Sequence, residues 1–259
     1  KRSKEYGVVT EGVSADFSKF HKRKRTIVTR LFGGIEHLLK KNKIDLLKGT
    51  GQIISPDKVL VKEGDKIKEE ISTKNIIIAT GSTPLIFKGL LYDKKNVLTS
   101  DDILELEEIP SSLLIIGGGA IGVEFAYIYN ALGSKVTVIE MMDEILPTND
   151  KDLGSALRKS LSKKGVNFLT QTSLNFIEIN ENSVETTVKK NDGSTEILQS
   201  EKVLLAMGRK PETKDSGLEE LNLEFNGRFI NIDENMQTSQ PGIYAIGDIS
   251  GPPLLAHLA

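Results

Sequence analysis

A glycine-rich turn that follows an apolar run constrains the fold of this chain more than any other feature. Residues 113–116 are all apolar, and Gly117, Gly119 and Gly122 follow at the spacing G-x-G-x-x-G. The run predicts a strand covered on both faces, and the residues after the turn predict a helix. Residues 135–140 predict a second strand. This strand–helix–strand order is typical of a βαβ unit in a parallel sheet.

Each glycine of the turn has a distinct chemical use. Gly117 permits the tight turn, Gly119 lets the backbone approach a pyrophosphate, and Gly122 lets the helix lie close to the strand. The helix N-terminus then offers free N–H groups and a positive dipole end to the phosphates. The sequence therefore favours a dinucleotide site over the alternative, a simple tight turn.

An acidic residue at the end of the second strand indicates which dinucleotide binds. Glu140 lies about 20 residues beyond the glycine turn, where a carboxylate accepts hydrogen bonds from the adenosine ribose hydroxyls. Residues 141–144, Met-Met-Asp-Glu, offer no cation to neutralise a 2′-phosphate. We therefore predict NAD rather than NADP.

Composition restricts the remaining possibilities. The 259 residues carry a formal net charge of −2 and no run of about 18 apolar residues, so we expect neither a nucleic-acid nor a membrane partner. The locally basic residues 19–30 are interpreted as a solvated helix face. Because the chain has no cysteine, it cannot build a disulfide, a thiolate metal site or a dithiol redox centre alone, and we predict no metal site.

The other segments predict a mixed α/β organisation. Apolar residues recur at helical spacing over residues 18–41, which predicts a long amphipathic helix that packs on another element. Short antiparallel strands are expected at residues 44–47, 51–54, 59–62 and 66–71. A strand covered on both faces is expected over residues 76–79, and a linker over residues 81–110. A helix over residues 150–164 and further strands follow, with a hairpin turn at Asn191-Asp192-Gly193.

Several motifs together resemble the dihydrolipoamide dehydrogenases, a family within the pyridine nucleotide-disulfide oxidoreductases. They are residues 31–38 (LFGGIEHL), 76–84 (IIIATGSTP), the glycine turn continuing into Val123-Glu124, residues 207–211 (MGRKP) and residues 243–259. The resemblance covers the whole chain, which is similar to the central part of such enzymes. It implies a doubly wound Rossmann-like NAD-binding domain formed by residues 111–235. This domain is inserted in a partial FAD-binding domain, which is formed by residues 1–110 and 236–259 and includes a small antiparallel β-meander.

The same resemblance implies cofactor contacts. FAD would contact Gly51, Thr80, Gly81, Ser82, Asp248, Leu254, Leu255, Ala256 and His257. NAD would contact Gly117, Gly118, Gly119, Ala120, Ile121, Gly122, Val123, Glu124, Glu140, Leu174 and Gly208. Within this set, Glu124 resembles a family glutamate near the flavin and the nicotinamide; an exposed glutamate in the first helix is the alternative.

Parts of the family pattern are absent from these residues: the N-terminal FAD glycine loop, the C-x-x-x-x-C disulfide, and the C-terminal dimer domain with its acid/base pair. We therefore assign no catalytic residue and expect a fragment that is inactive alone.

The implied reaction passes electrons from dihydrolipoyl groups on an acyltransferase or glycine-cleavage protein through a disulfide and FAD to NAD+, in a homodimer. Such enzymes are soluble, in the mitochondrial matrix or a plastid of eukaryotes and the cytoplasm of bacteria. The alternatives are another flavin disulfide reductase or NADH oxidase, and a non-catalytic NAD-binding module.

Overall fold

The computed structural model describes Gly7, Val9 and residues 14–258 of the chain. Contacts divide the chain into two compact units, the first formed by Lys1–Gly34 and Ile86–Met207 and the second by Ile35–Leu85 and Gly208–Ala259. Among the described residues, none of the helices has the length and apolar character needed to cross a membrane. The predicted domain boundaries at 110/111 and 235/236 differ from the unit boundaries, and the assignment of a cofactor to each segment stays a prediction.

Helices and strands alternate over residues 100–169, and runs of strands lie before and after this part of the chain. The α-helices of the described residues are α1 (Phe17–Lys41), α2 (Ser100–Ile103), α3 (Ala120–Leu132) and α4 (Lys151–Ser162). The strands are β1 (Thr50–Ser55), β2 (Lys58–Glu63), β3 (Lys66–Ser72), β4 (Ile76–Ile78), β5 (Ser82–Pro84), β6 (Val97–Thr99), β7 (Ser112–Ile116), β8 (Lys135–Ile139), β9 (Asn167–Leu169), β10 (Thr172–Ile179), β11 (Val184–Lys190), β12 (Thr195–Ser200), β13 (Lys202–Leu205), β14 (Arg209–Pro211), β15 (Phe225–Asn226), β16 (Phe229–Ile230) and β17 (Ile243–Ala245).

The first unit is built on a five-stranded parallel sheet in the order β6-β13-β7-β8-β9. Its central strands are almost wholly apolar because both faces are covered, and Ile115, Val138 and Leu204 have no solvent exposure. Helix α3 connects β7 to β8, and α4 precedes β9, as the parallel direction requires. The Rossmann-like α/β fold predicted from the sequence is therefore confirmed.

The linker predicted over residues 81–110 is the clearest error about secondary structure. This segment contains β5, the edge strand β6 and the short helix α2. Val97 and Leu98 are buried at 0% and 1% exposure because β6 completes the parallel sheet beside β13. A strand of three residues is too short to show a period, so the sequence pattern could not reveal it.

A three-stranded antiparallel sheet, β10-β11-β12, belongs to the same unit. The predicted turn at residues 191–193 joins β11 to β12, and Gly193 has a φ of +84°, which glycine adopts without strain. Ile177, Val184 and Val188 are buried in one cluster with apolar side chains of the parallel sheet. The alternation of buried and partly buried residues along β11 thus places the apolar face of this sheet inward.

The second unit contains the predicted meander, in which β1, β2 and β3 pair antiparallel in sequence order. Strands β4 and β17 pair parallel, while β5–β14 and β15–β16 pair antiparallel. Ile53, Leu221, Ile230 and Ile243 lie in its apolar core. The prediction that residues 76–79 are covered on both faces is wrong, since Ile77 is 63% exposed: the β4–β17 pair buries one face only.

Helix α1 confirms the predicted helix over residues 18–41 almost residue for residue. Its apolar side chains do not pack as predicted, because none of its residues is buried and Leu31 and Phe32 are 64% and 63% exposed. The predicted strand at residues 44–47 also does not form, and this segment has no regular structure.

Candidate functional site

The glycine turn lies between the end of β7 and the start of α3, as predicted. Gly117 has a φ of +111°, and a Cβ added there would lie 2.4 Å from the carbonyl oxygen of Ala206. Its N–H donates to the carbonyl oxygen of Ile139 at 2.9 Å, which ties the turn to β8. Both the backbone conformation and the close approach therefore require glycine at this position.

Gly122 sets the distance between α3 and the turn. An added Cβ would lie 2.0 Å from the carbonyl oxygen of Gly117 and 3.3 Å from Cγ2 of Ile115. A backbone oxygen cannot move aside as a flexible side chain can. Glycine at this position therefore permits the close packing of helix on strand that the sequence pattern predicted.

Gly119 differs from the other two because nothing in the described structure requires it. Its φ of −69° and ψ of −179° suit any residue, and no atom lies within 4 Å of an added Cβ. This residue precedes α3, whose start has no side-chain cap among the described residues and no acid in its first turn. Helix α2, in contrast, begins with a capping box of Thr99 and Asp102. The start of α3 is therefore open to an anion.

Glu140 lies beside the turn, at the end of β8. The register of the parallel pair places Ile116 opposite Ile139, so the turn and the glutamate follow neighbouring strands at the same edge of the sheet. Glu140 is 8% exposed, and its Oε2 accepts a hydrogen bond of 2.7 Å from the N–H of Gly118. The structure thus brings together the two features from which the sequence predicted NAD binding.

The other predicted residues of α3 have different environments. Val123 is buried in the core of the first unit, and Ile121 is partly buried. Ala120 and Glu124 are exposed. Leu174 lies on β10 opposite Val188 and packs against an apolar cluster, which accounts for its apolar side chain without a ligand. Its predicted contact with NAD stays a prediction, as do the contacts of the α3 residues.

Two ion pairs follow Glu140 in the loop between β8 and α4. Glu144 accepts two hydrogen bonds from the guanidinium of Arg158, at 2.7 and 2.8 Å, and Lys151 lies 2.6 Å from Asp143. The guanidinium of Arg158 and the N–H of Ile145 hold the pKa of Glu144 below its usual value, although desolvation opposes them. The two nearby cations of α4 are therefore engaged by carboxylates, which the sequence alone could not show.

Arg158→Gln is expected to lower the free energy of unfolding by about 1–2 kcal/mol at neutral pH, between the values for exposed and buried pairs. Glu144 remains largely buried but loses its cationic partner. The folded-state pKa of Glu144 lies below its usual value of 4.5, so the ion pair stabilises the fold fully above pH 4.5. This stabilisation disappears as the pH falls through the folded-state pKa. Thermal unfolding of the parent chain and of Arg158→Gln, measured from pH 7 to pH 3, should show a difference in Tm that becomes smaller as the pH falls. A constant difference would contradict the ion pair as the origin of the stabilisation.

Within the second unit, three polar side chains converge at the end of β4. Ser82 donates its hydroxyl hydrogen to Oδ2 of Asp248, and Nε of Arg209 donates to Oγ of Ser82 at 2.7 Å. Arg209 also donates from its terminal nitrogen to the carbonyl oxygen of Ser82. Ser82 and Asp248, both predicted to contact FAD, therefore lie together, although 166 residues separate them.

Arg209 is the polar residue of this group that sequence reasoning missed. It stands in residues 207–211, one of the motifs that carry the family resemblance, yet only Gly208 was assigned a role there. Strand β14 pairs with β5 and so brings Arg209 alongside Ser82. The motif could have drawn attention to Arg209, but only the strand pairing shows its partner.

The remaining residues predicted to contact FAD are distributed over the second unit. Thr80 donates its hydroxyl to the carbonyl oxygen of Glu212 at 2.7 Å, and Gly81 has a φ of +72°. The short 3₁₀ helix Ala256–Leu258 contacts Gly247–Ile249, which carries Asp248, and His257 is exposed. Of the other predicted residues, Gly51 is exposed on the meander strand β1, Leu254 is partly buried, and Leu255 and Ala256 are exposed. Gly208, predicted to contact NAD, precedes β14 and accepts a hydrogen bond of 3.0 Å from the N–H of Leu85.

The parallel sheet, the glycine turn and the acidic residue at the next strand end define a Rossmann-like α/β protein. The chain belongs to the pyridine nucleotide-disulphide oxidoreductase family, whose model matches residues 5–259. Proteins of this family use FAD and NAD(H). The resemblance found from the motifs is thereby confirmed.

Curated relatives of this chain are named dihydrolipoyl dehydrogenases. One from Bacillus subtilis is 38% identical, over 100% of this chain and 56% of its own length. One from Acholeplasma laidlawii is 40% identical, over 100% of this chain and 75% of its own length. The chain spans about half the length of the Bacillus subtilis protein and of most other relatives that it matches.

Solved structures agree with this membership. The structure titled HOCl-induced flavoprotein disulfide reductase RclA from Escherichia coli, as its Cu(II) complex, superposes with a TM-score of 0.85 at 28% identity. It covers 94% of this chain, which in turn covers 55% of that chain. The chain therefore shares the fold of the matched part of that flavoprotein disulfide reductase.

Proposed function

We propose that this chain supplies the NAD-binding part and a portion of the FAD site of a dihydrolipoyl dehydrogenase. In the overall reaction a dihydrolipoyl dithiol loses two electrons and two protons to become a disulfide, and NAD+ takes up a hydride while one proton is released. The relatives at 38–40% identity carry this name. Because the chain has no cysteine, thiols outside these 259 residues perform the exchange with the dithiol, and the chain is not competent alone.

The observation that carries the proposal is Gly119. Gly117 and Gly122 are explained by contacts within the protein, whereas no contact in the described structure explains Gly119. An unhindered backbone at the uncapped start of a helix suits a pyrophosphate that must approach closely. A dinucleotide phosphate would account for glycine at this position.

Each group of residues has a defined role in this proposal. The N–H groups at the start of α3 hold the pyrophosphate, and Glu140 accepts hydrogen bonds from the adenosine ribose. In the second unit, Asp248 accepts a hydrogen bond from a ribityl hydroxyl, while Ser82, itself held by Arg209, donates to its carboxylate. The bound flavin supplies the two-electron chemistry between dithiol and nicotinamide, and the protein supplies orientation and electrostatics.

A second candidate is a flavoprotein disulfide reductase with another substrate, and the superposition on RclA at 28% identity favours it specifically. Relatives named dihydrolipoyl dehydrogenase reach higher identity, which supports the first candidate. An NADH oxidase or a non-catalytic NAD-binding module would use the same glycine turn. In a longer coding sequence, a cysteine pair at C-x-x-x-x-C spacing supports the disulfide enzymes, whereas its absence supports the module.

The partners follow from the proposed reaction. The substrate group would be carried by a lipoyl-bearing acyltransferase or a glycine-cleavage protein, and the whole enzyme would be a homodimer. Its compartment would be the mitochondrial matrix or a plastid in a eukaryote and the cytoplasm in a bacterium.

Titration calorimetry with NADH and NADPH tests the proposed cofactor choice. NADH is expected to bind at least about tenfold more tightly, a difference of about 1.4 kcal/mol, because a 2′-phosphate would meet the Glu140 carboxylate while Lys151 and Arg158 are engaged by Asp143 and Glu144. Equal or tighter binding of NADPH contradicts the assignment, and the absence of heat with either nucleotide contradicts the site itself.

A further inference from the structure

The carboxylate of Glu140 bridges two backbone segments of the first unit. Its Oε2 accepts the N–H of Gly118 at 2.7 Å, and its Oε1 accepts the N–H of Met142 at 2.9 Å. The glutamate backbone is itself held, since its N–H donates to Leu169 and its carbonyl oxygen accepts from Thr172, both at 2.9 Å. The carboxylate of this buried residue therefore connects the end of β8 to the glycine turn.

Gly118 is held on its other side as well. Its carbonyl oxygen accepts the N–H of Leu146 at 2.8 Å, and Leu146 has a φ of +52°, which is unusual outside glycine. A Cβ added to Gly118 would lie 3.0 Å from Cγ2 of Ile145 and 3.1 Å from Cβ of Glu140. The loop after β8 and the carboxylate thus enclose the middle of the glycine turn from both sides.

We propose that Glu140 is also a positioning residue, which holds the glycine turn in its nucleotide-binding shape before any nucleotide is present. This inference rests on the proposed function in that the turn is taken to bind the dinucleotide. It adds a role beyond recognition of the ribose. Both hydrogen bonds join groups of the protein itself, so the positioning role needs no atom of a ligand.

Both roles fit one carboxylate. Each carboxylate oxygen has two lone pairs, and the backbone N–H groups occupy one on each oxygen. One lone pair on each oxygen stays available for a ribose hydroxyl. A glutamine cannot replace it, because its amide has one accepting oxygen and would turn an NH₂ group toward one of the two N–H donors.

The proposal changes what a substitution at Glu140 should do to cofactor choice. If the residue only bound the ribose and excluded a 2′-phosphate, Glu140→Ala would weaken NADH binding and improve NADPH binding. If it also positions the turn, Glu140→Ala weakens NADH binding and leaves NADPH no better than in the parent chain. Lys151 and Arg158, each engaged by a carboxylate, supply no compensating free cation.

Amide hydrogen exchange of the whole nucleotide-free chain, read residue by residue by NMR, tests the positioning role. In Glu140→Gln the amides of Gly118 and Met142 are expected to exchange at least about tenfold faster, while those of Ile115 and Val138 in the parallel sheet keep their protection. Asp143→Asn is the matched control, because Asp143 stands in the same loop but pairs with Lys151 and bonds to neither amide. It should leave the exchange of Gly118 unchanged.

Unchanged exchange of Gly118 in Glu140→Gln overturns the proposal. If the sheet amides of that variant also lose protection, Glu140→Asp is measured, since it keeps the charge but is one methylene shorter. Fast exchange at Gly118 with a protected sheet then supports the proposal, and protection equal to the parent overturns it. Failure of the parent chain to bind NADH refutes the proposed function, whatever the exchange shows; binding of NADH together with unchanged exchange in Glu140→Gln refutes only the positioning role.

Discussion

Gly119→Ala is expected to abolish most of the affinity for NADH while leaving the fold intact. The free energy of unfolding should change by less than about 1 kcal/mol, because the backbone conformation suits alanine and no atom lies within 4 Å of the new methyl group. The methyl group would, however, occupy the space through which a pyrophosphate reaches the backbone. Overpacking typically costs about 1–3 kcal/mol, which corresponds to a loss of affinity on the order of fivefold to a hundredfold.

Titration calorimetry gives the affinity and thermal unfolding gives the stability of the same preparation. Gly34→Ala is the matched control, since this glycine also has open space around it but lies in α1, away from the turn. It should bind NADH as the parent chain does. Unchanged NADH affinity in Gly119→Ala would remove the main support for the proposed function, and a large fall in Tm would show that Gly119 has a structural role instead.

Gly122→Ala is expected to have the largest effect on stability. The new Cβ would meet the carbonyl oxygen of Gly117 at 2.0 Å, and that oxygen belongs to a turn that cannot yield without moving away from β8. The cost should lie near the upper end of the range for overpacking, about 3 kcal/mol. At roughly 2–4 °C per kcal/mol for a chain of this size, Tm should fall by about 6–12 °C.

The comparison with Gly119→Ala separates the two roles within one motif. Thermal unfolding followed by circular dichroism should give the parent chain and Gly119→Ala similar Tm values. The Tm of Gly122→Ala should be well below both. NADH binding should be weak in both variants. In Gly119→Ala the new methyl group blocks the pyrophosphate, whereas in Gly122→Ala the displacement of α3 disturbs the site. A Gly122→Ala protein as stable as the parent would show that the helix can move away from the turn at little cost.

The glycine turn and Glu140 could be predicted from the sequence because their interactions are local in the fold. Two neighbouring parallel strands joined by one helix place Ile116 beside Ile139, so residues that follow these strands must lie close together. The spacing therefore predicts the geometry of that site. The hydrogen bonds to Met142 and from Leu146 could not be predicted, since irregular loops carry no periodic signal.

The group of Ser82, Arg209 and Asp248 shows the opposite case. Resemblance to a family indicated two of its members, but no spacing rule joins residues that are 127 and 166 positions apart. Pairing of β5 with β14 and of β4 with β17 brings them together. The missed strand β6 has the same cause, because its burial comes from β13, more than 100 residues later in the chain.

The sequence by itself determined the βαβ unit, the positions where glycine is needed, the preference for NAD over NADP as a prediction, and the absence of thiols from this chain. Only the tertiary structure decided which glycines are required by contacts within the protein and which is not, what holds Glu140, and which side chain bonds to Asp248. The physical reason is that backbone periodicity and turn chemistry act over a few residues, whereas steric contact and hydrogen bonding act over a few ångströms, whatever the separation along the chain.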